Sequence, residues 1–266
     1  MHCRDQIDRE MTPARIAVKA LQEKLGIGAS DECFRCGSLD TQCKLSIEKI
    51  LGKVPISKGD WTYVGHEYGQ ARIQNKLARI LFVSMERPKS DQKPEKFEDT
   101  QRAFREACFH RQNPHMGGTD IELEGLLDPT TPREKRCMQF ALTNSVRCRP
   151  VSNRANSQST PIMVEECKRH TKSIIATLQP DVIVTQGKPA FGSIAKLYKT
   201  ETVYKAKNGR QGQTARFAEV RRGDSVLFLR TAHPANHVGF RWKRGPIPDY
   251  LGDAIEVLRK LYATRR

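Results

Sequence analysis

The chain has 266 residues, 38% hydrophobic and 29% charged, with 46 Lys and Arg against 30 Asp and Glu for a net charge of +16. That balance describes a packed core under a heavily charged surface and excludes a disordered chain, while a prior of about 100–200 residues per domain lets one core suffice. The positive surplus predicts a polyanionic partner, nucleic acid first, and no apolar run approaches the ~18–20 residues of a membrane helix.

The N-terminus is polar and has no signal-peptide core, so the expectation is an intracellular protein, cytoplasmic and nucleoid-associated. In a reducing compartment the eight cysteines suit metal ligation or core packing better than disulfides. The first element in chain order is an amphipathic helix capped by Thr12, entered through Pro13 and stopped at Gly26 or Gly28. Residues 1–30 thus read as an N-terminal helical extension on a domain spanning 31–266. A loop carrying Cys33-Phe-Arg-Cys36 follows, then a helical stretch around Leu45 to Leu51.

Four short apolar runs read as buried strands: Arg79 to Ser84, Gln139 to Asn144, Asp181 to Thr185 and Ser225 to Arg230. Each is too short for a helix and rich in Val, Ile, Leu and Phe, as strands covered on both faces require. Helical patterns run from Glu98 to Arg111, from Pro161 to Leu178 behind Thr160, after Gly187, and from Asp249 to Tyr262. Alternating elements of this kind predict a three-layer α/β/α sandwich around a central, mostly parallel four-stranded sheet. Between Thr200 and Asp224 the chain is polar and basic, which fits a solvated hairpin or a surface that contacts phosphates. The fingerprints of dinucleotide, P-loop and zincin sites are absent.

Cys33 and Cys36 alone could be half a zinc site or a redox pair. Cys148, past the second strand, and Cys167, early in the next helix, could join them in a tetrahedral thiolate site for zinc or an iron–sulfur cluster.

Five segments carry a resemblance in the same order: Thr143-Asn-Ser-Val-Arg-Cys-Arg-Pro150, Asn153-Arg154, Cys167, Leu178 to Gly187, and Ala232-His-Pro234. Together they resemble the family 4 uracil-DNA glycosylases, which read T-N-V-V-K-C-R-P-P-x-N-R, a later Cys, a strand ending in L-G and a terminal H-P-S, behind an N-terminal C-x-x-C. The likeness covers roughly residues 31 to 262 and is densest from Ala141 to Ala190. It implies that Cys33, Cys36, Cys148 and Cys167 hold a structural [4Fe–4S] cluster, in preference to zinc, with Cys43 as the rival ligand. Cys3, Cys108 and Cys137 match no family position and read as ordinary thiols.

The resemblance also implies a monofunctional, monomeric glycosylase that removes uracil, or a related deaminated base, from DNA. Asn144 would read the base edge, and His233 would donate to uracil O2 as the base leaves. Glu86, in Ser84-Met-Glu-Arg-Pro-Lys89, would assist the attacking water, although Met85 and Lys89 replace the two glycines of the family's G-E-x-P-G. His115, in Asn113-Pro-His-Met-Gly117, falls where the family stacks a Phe on the flipped base. Arg241, Lys243 and Arg244, interleaved with Phe240 and Trp242, suit a loop on the phosphate backbone. The altered first motif supports a rival from another class, a nucleic-acid-binding protein that keeps the fold and cluster but has lost the reaction.

Overall fold

The computed structural model describes residues 10–24, 42–53, 56–57, 61–85, 96–112, 114–150, 160–208, 216–233, 247 and 249–265. In chain order its elements begin with α1 (Pro13–Lys24), α2 (Lys44–Leu51), β1 (Ile56–Ser57), β2 (Tyr63–Val64), β3 (Ala71–Ile73), β4 (Lys76–Ala78) and β5 (Ile80–Ser84). Next come α3 (Phe97–Phe109), α4 (Pro114–Leu126), α5 (Arg133–Arg136), β6 (Phe140–Asn144), β7 (Arg149–Pro150), α6 (Pro161–Leu178) and β8 (Val182–Gln186). The chain continues through α7 (Lys188–Ile194), β9 (Glu201–Asn208), β10 (Arg216–Arg222), β11 (Leu227–Thr231) and α8 (Asp249–Thr264).

The main sheet has seven strands in the order β2-β6-β5-β8-β11-β10-β9. Its centre, β6-β5-β8-β11, is parallel throughout, and these four are the apolar runs expected from sequence. All five residues of β5, β6 and β8 are buried, because helices cover both faces. Three antiparallel strands extend the predicted four: β2 on one edge and the β10–β9 hairpin on the other. The basic segment from Thr200 to Asp224 supplies that hairpin, where Glu219 ties Arg221 and Arg230 at 3.2 and 3.1 Å. Both guanidiniums also lie over the Phe191 ring, at 5.2 and 4.4 Å from its centroid. These two arginines are therefore spent on holding the hairpin.

Successive strand residues alternate between two cores. Ile80, Phe82, Val182 and Val184 face a cluster that includes Cys108 of α3, Leu123 of α4 and Leu251, Ala254 and Leu258 of α8. Leu81, Val83 and Ile183 face Val18 of α1, Ile174 and Leu178 of α6 and Ala190 and Ile194 of α7. Truncating a fully buried ring such as Phe82 would cost roughly 3–5 kcal/mol by transfer and cavity terms together.

Local chemistry sets the helix ends. Thr160 Oγ1 accepts from Met163 N at 3.2 Å and Pro161 opens the first turn of α6, while Gln179 closes it in the left-handed region at φ 44°. Helix α1 is pinned to β2 by polar groups as well as by Val18. Arg15, fully buried, donates Nε to Val64 O at 2.8 Å, and Gln22 exchanges hydrogen bonds with Thr62 at 3.2 and 3.0 Å. No described helix is long and apolar enough to cross a membrane.

Candidate active site

Four parallel strands end on one edge, and their last residues are polar. Ser84 of β5 pairs in register with Asn144 of β6, and Gln186 of β8 pairs with Thr231 of β11. Open α/β sheets bind ligands at this carboxyl edge, where the loops leave the strands. The connections stay tight here: Ser145 N and Oγ reach Ser84 O and Met85 O, each at 2.8 Å, and Gly187 N reaches Thr231 O at 2.9 Å. Gly187 has φ 103°, and a Cβ on it would meet Met85 Sδ at 3.0 Å and the His233 Cβ at 3.7 Å. Only glycine lets these three strand ends close together.

Helix α4 brings a second set of groups to the edge. His115, Thr119 and Glu122 are spaced i, i+4 and i+7, which aligns them on one helix face. His115 Nε2 lies 2.7 Å from Ser84 Oγ and 2.8 Å from Gln186 Oε1, and Ser84 Oγ donates to the same Oε1 at 2.6 Å. The other end of the Gln186 amide donates to Thr119 Oγ1 at 3.0 Å and to Glu122 Oε2 at 2.7 Å. On its far side the His115 ring stacks on His233, with centroids 5.1 Å apart and planes 18° apart.

Burial governs the protonation of this cluster. It pushes His115 below the usual imidazole range, against the pull of the Gln186 hydrogen bond, so the ring is neutral at physiological pH. Burial also pushes Glu122 up to about 7, although the Gln186 amide and Thr231 hydroxyl pull the other way. Glu122 is 1% exposed and its Oε1 has no hydrogen-bond partner among the described residues. A carboxyl that titrates near neutrality beneath a sheet edge is suited to hold or release a proton at working pH.

The residues expected from sequence divide into three groups. Asn144 (4% exposed), His115 and His233 meet at the edge, linked through Ser84 and the ring stack. Cys148 and Cys167 are each 4% exposed and share an apolar cluster with Cys43, Ile47, Val146 and Met163. Glu86, Arg241, Lys243, Arg244, Cys33 and Cys36 lie outside the described residues. Ser84, Thr119, Glu122 and Gln186 were not singled out from sequence. Their one legible signal is the helical spacing from His115, together with a Gln where the resembled strand carries Leu before its Gly.

A different trio, Cys108, Asp120 and Cys137, has ligand atoms within 4.8 Å of one another and is buried. Its surroundings oppose a cation. Asp120 already receives Arg111 at 2.7 Å, and Arg133 and Arg136 at 3.2 Å. The Cys137 thiol donates to Cys108 Sγ at 2.7 Å, and burial pushes the Cys108 thiol well above its ordinary value. A neutral thiol beside three guanidiniums is a poor metal ligand. Cys148 and Cys167, free of disulfides and gathered with Cys43 in an apolar pocket, fit a thiolate-bound group better.

The family model of the uracil DNA glycosylase superfamily matches residues 50–257, a span that contains the four parallel strands and the edge network. No curated protein matches the chain.

Proposed function

The chain belongs to the uracil DNA glycosylase superfamily, and on that premise we propose that it hydrolyses the N-glycosidic bond of uracil, or of a related deaminated base, in DNA. The observation that carries the reading is the convergence of Asn144, His115 and His233 at the carboxyl edge of the parallel strands. A base reaches such an edge only when swung out of the stack.

Cleavage of the C1′–N1 bond leaves positive charge on the sugar and negative charge on the departing base, and water then adds at C1′. The Asn144 amide offers a donor and an acceptor to the Watson–Crick edge. His233 donates to O2, where the negative charge collects. His115 supplies a flat ring at the stacking position, and Glu86 orients the water and faces the sugar cation. Arg241, Lys243 and Arg244 hold the phosphate backbone, which makes affinity fall steeply with salt. No lysine nucleophile enters the scheme, so the enzyme is monofunctional, and one copy suffices for it.

Cys33, Cys36, Cys148 and Cys167 would hold a [4Fe–4S] cluster. The burial of Cys148 and Cys167 in one apolar cluster supports this. Such a cluster would supply a structural cross-link between the Cys33–Cys36 segment, the residues after β6 and α6, and take no part in bond cleavage.

One observation favours the second reading, a nucleic-acid-binding protein without the reaction. Met85 stands where the resembled motif has glycine, and its thioether packs on Gly187 at the edge, narrowing the approach to the base. An oligonucleotide with a single uracil separates the two. Conversion to an alkali-labile abasic site by the wild type, and its loss in H233A, supports the glycosylase; binding with no abasic site from protein that retains its iron gives the lead to the binding reading.

A further inference from the structure

The polar network under the strand ends has an internal logic that the glycosylase scheme above does not use. Thr119 Oγ1 spends its own hydrogen on His115 O at 3.0 Å, so toward Gln186, 3.0 Å away, its oxygen can only accept. The nitrogen of the Gln186 amide must therefore face Thr119, and with it Glu122, whose Oε2 takes the second hydrogen at 2.7 Å. That orientation leaves Gln186 Oε1 facing Ser84 and His115 at 2.6 and 2.8 Å. A carbonyl oxygen only accepts. The Ser84 hydrogen goes to it, and His115 Nε2 must carry a hydrogen to share between Gln186 Oε1 and the Ser84 lone pair. In the neutral ring that assignment leaves Nδ1 as the lone-pair nitrogen.

We propose that Gln186, oriented by Thr119 and Glu122, is a positioning residue that fixes the Nε2–H tautomer of His115 and holds its ring in the plane that stacks on His233. The inference rests on the glycosylase reading for its consequence and on hydrogen-bond geometry for its cause. With Nε2 held by Ser84 Oγ and Gln186 Oε1, the His115 ring keeps the plane that stacks on His233, centroids 5.1 Å apart. The resembled strand has Leu at the Gln186 position and Phe at the His115 position, so neither the ring nor the amide that fixes it belongs to an ordinary apolar pocket wall. Glu122 serves the amide without having to be charged. A proton placed on Oε1, which has no hydrogen-bond partner among the described residues, leaves Oε2 as acceptor.

The test is long-range 1H–15N NMR of full-length protein labelled with 15N-histidine, with His115 assigned by comparison with H115F. Between pH 7 and 8 the wild type should show His115 as one neutral Nε2–H form, and E122Q, whose new amide oxygen still accepts from Gln186, should keep it. In Q186L the Ser84 hydroxyl loses its acceptor and turns toward Nε2, so the Nδ1–H form should appear. Uracil excision by Q186L should fall at least about ten-fold in kcat, because the untethered His115 ring no longer keeps its place beside His233. A wild-type Nδ1–H or cationic ring, or an unchanged Nε2–H form in folded Q186L, overturns the proposal. If the wild type releases no base, the glycosylase reading falls, and the spectra still support or overturn the tautomer assignment by the same criteria.

Discussion

His115 and His233 lie face to face, ring centroids 5.1 Å apart and planes within 18°, although one comes from helix α4 and the other follows β11. The pair forms because α4 presents His115 to Ser84 and Gln186 at the ends of β5 and β8, while the chain leaving β11 passes Gly187 at close range. Two similar rings thereby sit in unequal surroundings. His115 is held through its Nε2 by Ser84 and Gln186, and in the proposed reaction His233 is the ring that donates to the base.

That asymmetry predicts different losses for the two histidines. H233A removes a donor needed most as charge develops on the base, and should lower kcat by about 10²–10³. H115A removes a stacking surface worth roughly 1–3 kcal/mol, felt mainly in binding, and H115F should restore it. Single-turnover excision at saturating enzyme, with DNA affinity measured separately, distinguishes the two. Equal loss of kcat in H115F and H233A would show that the imidazole of His115, and not its flatness, is what counts.

Glu122 gives the fold a pH signature. Its carboxyl rises from 4.5 to about 7 on folding, so between those values the native state binds more protons than the unfolded chain. Stability from this group is complete below about 4.5 and is lost as pH climbs through about 7, a difference of roughly 3 kcal/mol. In E122Q that slope disappears. Urea melts of the two proteins at pH 5, 6, 7 and 8 should show E122Q gaining relative to wild type as pH rises. A constant gap between them would mean that Glu122 does not titrate in this range.

Asp120 holds the other face of α4. Arg111 and Arg136 are each 7% exposed, and both bond its carboxylate. In D120A two buried guanidiniums lose their main counter-charge, and the half-exposed Glu124, 3.0 Å from Arg111 and 3.6 Å from Arg136, compensates only in part. The expected cost is about 3–5 kcal/mol, read as a lowered denaturation midpoint with an unchanged m-value. A loss below about 1 kcal/mol would mean that water or Glu124 replaces Asp120 without penalty.

What could be read in advance follows from burial. Strands β5, β6, β8 and β11 announce themselves because both faces are covered, so their residues form unbroken apolar runs. Helix α6 is equally plain, since Thr160 and Pro161 mark its start. Strands β9 and β10 hide among charges because they lie at the sheet's edge, where Arg221 can be satisfied by Glu219. Helix α4 fails in the opposite way: every residue from Met116 to Leu123 is buried, polar and apolar alike, so its sequence does not divide into a solvated and a buried face. Asn144 and His233 were legible through the motifs around them. Ser84, Glu122 and Gln186 look like surface polars in sequence, and only the fold shows that they bond one another in the interior.

Metal content decides between the two thiol groups. Cys148 and Cys167 lie together in an apolar cluster with Cys43. Cys108 and Cys137 adjoin an Asp120 already held by Arg111, Arg133 and Arg136. Adding a cation there would set it against three positive charges, whereas iron bound by deprotonated thiolates suits the apolar pocket. Protein purified without oxygen should therefore be brown and contain iron and acid-labile sulfide. C148A and C167A should lose both, and the double variant C108A/C137A should keep them at wild-type stoichiometry. Because the cluster would tie Cys33 and Cys36 to α6 and to the residues after β6, its loss should also lower the midpoint of thermal unfolding. Retention of iron in C148A and C167A, with loss in C108A/C137A, would move the metal to the arginine-lined group and overturn the cluster assignment.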